Sequence, residues 1–557
     1  MLNTSLHKFY VSSPMREGIL CWYPFTPNAK VLDLSNGILS DLLKTKGLNV
    51  SESSDNYGYD YIIALDIQDF SEEALKSMRV KLKPNGRLLL AYENPYALRF
   101  WAGSRLSEKD HPYSTLFNRA TLQLPGKAEL TIRLKNVGFN GQKWYYPLTD
   151  HWFTQEVYSE NLLPNEYFGQ RFFPYIKSDI YLQFDERPLY REIIRGGAFE
   201  FMCGAYLVEA RLCSDDEACA VDYAAVTASR EPAQRFATTV RNDGMVYKTP
   251  LYPDANATAL NLVKNHEELS SLGLNIIETK MAGGSIVMPR VSLPTLWDYW
   301  TDKLSRGIFD ENEMFLHFDR IRKEIYKAST NGKCFWELVP ANCFFDAEKD
   351  EMIFFDQEHY WDNVSPDIAV ARAIWALRYS PAFQIEPRSK KWFDMLFERY
   401  GLSERKEELN ALADVKTLSE VFGVEELMLK SITDRTVSII EKRSLKLTAK
   451  FNNNNRLERV MDTLLRLKIQ KPIIYGYGKR GQELKTFLED YIYQDIMVLD
   501  RKFEDCKTLD DIPENVFYDA VIVSVLQDGK EIADKLSCKT DVPIYLLEEL
   551  MSDSCDG

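Results

Sequence analysis

Lys248, Glu337, Asn342 and Asp356 have the types and the order that phosphoryl transfer to a hydroxyl requires: a cation for phosphates, an acid to take a proton, and two metal-holding groups. Lys248 ends the run Met245-Val246-Tyr247-Lys248, which reads as a strand carrying an ammonium toward nucleotide phosphates. Glu267 and Glu268 follow on a helical stretch, where one carboxylate would orient that lysine. Glu337-Leu-Val-Pro-Ala-Asn342 sets an acid five residues before an amide, a spacing that lets one meet a hydroxyl proton and the other a metal. Phe354-Phe355-Asp356-Gln357-Glu358 reads as an apolar strand ending in an acid suited to magnesium. Taken singly, Lys248 reads as a solvated strand lysine and Asp356 as a turn residue; their shared order carries the other reading.

That string resembles the aminoglycoside and choline kinase-like family, whose pattern is an Asp, four residues, an Asn, and then a strand-borne Asp. The resemblance spans residues 232–400. It implies a protein-kinase-like α+β fold with ATP and Mg2+ as cofactors. Lys248 would sit on phosphate, with Glu267 or Glu268 orienting it, Glu337 as the base, and Asn342 and Asp356 on the metal. Glu337 departs from the family's aspartate, and its extra methylene moves the carboxylate by ~1.5 Å. A misplacement of about 1 Å costs on the order of 10²-fold in rate.

The elements that must position these groups are legible around them. Arg235 to Val240 and Arg241 to Gly244 suit a strand and turn ahead of Lys248, without a glycine-rich loop. Val287-Met288-Pro289-Arg290-Val291 reads as a strand and hinge lining an adenine pocket. Helices are expected from Thr295 onward, from Pro366 to Tyr379 and from Lys390 to Tyr400.

In the first third, Val31 to Gly37 reads as a buried strand turning into a helix, where parallel α/β sheets bind ligands. Asp60 to Asp66 makes another strand, Ala74 to Leu82 a helix, and Lys83 to Arg87 a turn into the strand Leu88 to Tyr92. Phe199 to Arg211 reads as one long closing strand, and the polar stretch Ser214 to Ala218 as a boundary. With Glu93-Asn94-Pro95-Tyr96, Asp110-His111, Tyr145-Tyr146-Pro147-Leu148-Thr149-Asp150 and Tyr158-Ser159-Glu160-Asn161-Leu162-Leu163-Pro164, the segment resembles a class I S-adenosylmethionine-dependent methyltransferase subgroup found with bacterial surface-polysaccharide genes.

The resemblance implies an S-adenosylmethionine site at Asp33 and Gly37. Ser35 and Leu39, however, stand where the family has glycines. Asp60 follows Gly37 by only 23 positions, leaving Glu52 or Asp55 to stand in for a ribose-binding acid. Asp110 and His111 read equally as an acid–base pair and as a turn cap.

The tail carries Gly476-Tyr477-Gly478-Lys479-Arg480-Gly481 after the strand Lys471 to Tyr475. A helix runs to Leu488, and Asp500 lies 19 residues past Gly481 at the end of Ile496 to Asp500. Glycines at this spacing allow close approach to pyrophosphate, and Asp500 is placed for a ribose hydroxyl. Strands at Asp519 to Ser524 and Pro543 to Leu546 complete a small Rossmann-like parallel sheet that either binds a nucleotide or nucleotide-sugar or packs structurally.

The expected organisation is therefore α/β multidomain. A Rossmann-like methyltransferase domain covers residues 1–213, a protein-kinase-like domain 230–402, a charged helical linker interrupted at Asn452 to Asn455 covers 403–468, and a small Rossmann-like sheet 469–557. A formal net charge of −15 argues against nonspecific nucleic-acid binding. Nine scattered cysteines without a Cys-x-x-Cys pair argue against a zinc site or a disulfide framework and fit a reducing cytosol. The start lacks a secretory signal, and no apolar run approaches the ~20 residues of a membrane span. The two resemblances imply a cytoplasmic protein, peripheral to the inner face of the membrane, that transfers phosphoryl or methyl groups to a sugar or lipid-linked glycan. The rival expectation is a noncatalytic scaffold among glycan-assembly enzymes.

Overall fold

Short β-branched and aromatic runs become strands wherever turn residues bound them. The computed structural model describes residues 13–52, 57–107, 109–165, 181–214, 217–379, 383, 386–412, 424–500, 502, 508–512 and 516–552. Asp55 lies outside them. The chain divides into two compact units, Met1–Ile440 and Glu441–Gly557.

Twelve strands build the large sheet of the first unit: β1 (Lys30–Asp33), β2 (Asn49–Ser51), β3 (Tyr59–Leu65), β4 (Leu82–Glu93), β5 (Gly141–Leu148), β6 (Glu156–Ser159), β7 (Ala205–Arg211), β8 (Val221–Val226), β9 (Phe236–Arg241), β10 (Met245–Pro250), β11 (Lys280–Ala282) and β12 (Ser285–Pro289). They form one mixed sheet in the order β11-β12-β10-β9-β8-β6-β5-β7-β4-β3-β1-β2. Strands β2, β1, β3 and β4 run parallel, and every other pairing is antiparallel. Along β4, Leu88, Leu90 and Tyr92 enter one apolar cluster and Leu89 and Ala91 another, so this strand is buried on both faces, as parallel strands are.

Beyond the sheet, helices Leu296–Ser305, Glu311–Ala328, Asp367–Tyr379 and Ser389–Arg399 enclose an apolar core that includes Trp300, Phe318, Ile374 and Trp392. Thr295 and Asp310 cap the first two, each accepting a backbone N–H with its side chain. Two short ladders lie among them: β13 (Lys333–Phe335) with β16 (Tyr360–Asp362), and β14 (Cys343–Asp346) with β15 (Glu351–Phe354). In the second unit, β17 (Pro472–Tyr475), β18 (Val498–Leu499), β19 (Ala520–Val523) and β20 (Ile544–Leu546) form a parallel sheet in the order β18-β17-β19-β20.

Four expectations need revision. Strands β6 and β8 pair across the expected boundary at Ser214 to Ala218, so residues 1–213 and 230–402 share one sheet and one unit. Phe199 to Arg211 is not one strand: Phe199–Met202 is helical, and β7 starts only after Gly204, where a Cβ would lie 2.6 Å from the Thr149 carbonyl oxygen. Lys83 to Arg87 lies inside β4. Asn452 to Asn455 does not interrupt the helix Val424–Arg466, because asparagine costs a helix only about 0.7 kcal/mol per residue and no proline or glycine accompanies it. Among the described residues, no helix is long and apolar enough to cross a membrane.

Candidate functional site

Lys248 is a buried lysine in an antiparallel strand, which demands compensation. Its Nζ lies 2.5 Å from Asp356 Oδ1 and also pairs with the Glu358 carboxylate. Burial disfavours the ammonium, but the two acids outweigh it and raise the lysine's pKa. Asp356 adopts φ 60°, a left-handed conformation that aspartate tolerates better than most residues, and its side chain stays 37% exposed. The backbone around it is pinned. Phe355 N–H donates to the Asn342 carbonyl at 3.0 Å, and Phe354 N–H to the Asn275 carbonyl at 2.9 Å. Asn342 and Asp356 are thereby held side by side, and Asn342 Nδ2 donates to the Glu337 carbonyl at 3.4 Å.

The helix Asn256–Ser271 approaches the site with Asn265 and His266, not with the glutamates. Asn265 Nδ2 donates to the carbonyls of Gln357 at 2.9 Å and Glu358 at 3.2 Å. His266 Nδ1 donates to the Ile277 carbonyl at 3.0 Å, Nε2 accepts Gln357 N–H at 3.3 Å, and burial lowers the ring's pKa. Glu267 is exposed, and Glu268 pairs with Lys333. Each is corrected as the lysine's partner: the helix buries Leu262, Asn265, His266 and Leu269, and ~100° per residue turns the next positions away. Glu358 takes that role. It lies two residues beyond Asp356, past the left-handed backbone at that position, so no strand alternation signalled it.

Glu337, Glu358 and His359 bring one ligand-type atom each within 4.8 Å of one another. His359 stacks on Trp336 at 5.3 Å and lies 3.4 Å from Glu358. Burial pushes Glu358 up, but Lys248 and His359 bring it down to about 2. Glu337 is pushed up to about 7, by burial first and then by the neighbouring Glu358 and Asp356 carboxylates.

Lys248 and Asp356 border a cavity of about 380 Å3. Val240, Val246, Ile277 and Met288 line it on one side, Phe344 and Phe355 on another, and Pro289, Arg290 and Val291 of the expected hinge segment also reach it. Phe344 and Phe355 stack with centroids 4.3 Å apart. An apolar slot with the Lys248 ammonium and the Asp356 carboxylate on its border has the shape and polarity that suit a flat heterocycle carrying phosphates. Asp356, Asn342 and Glu358 offer the hard oxygen donors that Mg2+ prefers.

At the N-terminal candidate site, Asp33 Oδ1 accepts Ser35 N–H at 2.8 Å and Oδ2 accepts the Ser40 hydroxyl at 3.1 Å, while Gly37 adopts φ +78°. Ser40 Oγ also donates to Glu52 at 2.9 Å. The turn after β1 is thus bound to its own side chains. Asp110 Oδ1 accepts the Thr121 N–H at 2.7 Å and its hydroxyl at 2.6 Å, whereas His111 is exposed. Asp110 therefore serves the turn, which corrects the acid–base pairing. Past the ends of β3 and β5, His151 Nε2 meets Asp66 Oδ1 at 2.5 Å, and Arg99 pairs with Glu93 and, at 3.6 Å, with Asp150. No local pattern in the sequence marks these pairs, because their partners come from separate strand ends.

In the second unit, a Cβ on Gly481 would fall 2.0 Å from the Gly476 carbonyl oxygen, and one on Gly476 would fall 2.7 Å from Val525. Gly478 faces open space. Asp500 Oδ2 accepts Tyr477 N–H at 2.8 Å and Oδ1 accepts Lys502 N–H at 2.9 Å, so the carboxylate fixes the glycine turn.

No family model and no curated relative matches the chain. Among solved structures, the kinase PK-1 of Cydia pomonella granulovirus is similar at 12% identity with a TM-score of 0.17, over 38% of this chain and 87% of that one.

Proposed function

We propose that residues 230–402 form an ATP- and Mg2+-dependent phosphotransferase site. The observation that carries this reading is the convergence of Lys248 and Asp356, distant in sequence, at one nucleotide-sized cavity beside the hinge segment, with the Asn342 carbonyl accepting the N–H of Phe355 next to Asp356. Lys248 neutralises phosphate charge, Asp356 and Asn342 hold the metal with Glu358 beside them, and Glu337 takes the acceptor's hydroxyl proton. When bound, Mg2+ supplies charge neutralisation on the transferring group. The sugar or lipid-linked glycan acceptor, and a cytoplasmic setting at the inner face of the membrane, rest on resemblance alone.

The strand order β2-β1-β3-β4-β7-β5, with β7 reversed, supports reading the N-terminal half as a methyltransferase-like frame. Its S-adenosylmethionine loop, filled by the Asp33–Ser40–Glu52 contacts, favours a supporting role there. For the second unit, the open space at Gly478 supports a nucleotide or nucleotide-sugar site.

Thermal shift tests the main reading. A ligand at 100 times its dissociation constant stabilises the native state by about 2.7 kcal/mol. ATP with Mg2+ is expected to raise Tm, and Asp356→Ala to abolish the rise. No response to ATP, with or without Mg2+, would sink the phosphotransferase reading and leave the scaffold.

A further inference from the structure

A row of directly opposed residues crosses five strands of the first unit. Met288 faces Val246, Val246 faces Val240, Val240 faces Tyr223, and Tyr223 faces Tyr158. All five line the same cavity. Four inter-strand steps of about 4.8 Å carry this roof some 19 Å from the hinge strand β12 to β6, beyond the antiparallel strands that hold Lys248. At the far end the Tyr158 and Tyr223 rings lie 4.9 Å apart. Leu162 and Leu163, from the turn after β6, continue that wall. The turn is built firmly: Leu162 N–H donates to the Ser159 carbonyl at 3.1 Å, Ser159 Oγ accepts Asn161 N–H at 3.2 Å, and Asn161 Nδ2 donates to Asp222 at 3.1 Å. No glycine-rich loop lies between β8 and β9 to cover a ligand, and the structure brings this apolar turn to the cavity.

We propose that Tyr158, Leu162 and Leu163, contributed by the N-terminal half, form the nucleoside-side wall of the nucleotide site and set its affinity through apolar contact. The inference rests on the phosphotransferase reading. The polar end of the cavity can grip triphosphate and metal, but it offers the nucleoside only charge. The rung from Met288 to Tyr158 supplies the complementary apolar surface, and two of its five residues, Tyr158 and Tyr223, lie outside the kinase-like segment.

Isothermal titration of the full-length protein with ATP and Mg2+ tests this. Leu163 is 41% exposed, so Leu163→Ala leaves the fold intact, whereas Tyr158 is buried and Tyr158→Ala risks misfolding. Leu163→Ala and Leu162→Ala are each expected to weaken ATP binding about five-fold with Tm of the free protein unchanged, and the double variant more. Free inorganic triphosphate, which lacks the nucleoside, should bind wild type and variants equally. ATP binding by wild type with unaltered affinity in both variants overturns this inference alone. Equal losses for ATP and triphosphate also overturn it, since the wall would then act through phosphate. No ATP binding by wild type overturns both it and the phosphotransferase reading.

Discussion

At the scale of single residues, Lys248 is the pivot because its burial is tolerable only while Asp356 and Glu358 face it. Removing one partner of a buried pair typically costs ~3–5 kcal/mol. Lys248→Met is therefore expected to destabilise the first unit by roughly that much in urea unfolding, and adding Glu358→Gln to recover part of the loss. Glu337 and Glu358 give opposite pH dependences. Glu358, depressed from 4.5 to about 2, contributes stability above its ordinary value, and this is lost as pH falls through that window. Glu337, raised from 4.5 to about 7, holds its proton longer in the folded state, so stability falls as pH rises between those values. Melting curves from pH 4.5 to 8 should show Glu337→Gln flattening that decline. An unchanged slope would place the titration elsewhere.

At the scale of elements, periodicity explains most of what was legible and most of what was not. The strands around Lys248, the hinge strand and the helical boundaries follow from short apolar runs and capping residues such as Thr295. Helix phase defeated the assignment of Glu267 and Glu268, since a shift of one residue swings a side chain by ~100°. Asp500 was correctly placed at the end of β18, yet its carboxylate is spent on the turn that it was expected to leave for a ribose. The glycines of that turn make a sharp contrast. Gly481→Ala should cooperatively unfold the second unit, seen as lost circular dichroism in residues 441–557, because its Cβ would meet a backbone carbonyl. Gly478→Ala, with open space around it, should fold normally and alter only ligand binding.

At the scale of the whole molecule, the continuous sheet changes what the first 400 residues are. A chain cut at residue 213 would leave the β6 edge that pairs with β8 unpaired, together with the apolar surfaces packed on it. Such a fragment is expected to aggregate or bind a hydrophobic dye in size-exclusion and fluorescence assays, whereas residues 1–440 should be monodisperse. Composition, motif order and local periodicity by themselves determined the mixed α/β character and the parallel tail sheet, since those follow from neighbours in sequence. Only the tertiary structure decided that Glu358 holds the lysine, that His359 joins Glu337, and that β6 reaches the cavity. Pairings between residues tens to a hundred positions apart are set by strand register and packing, which no local pattern encodes.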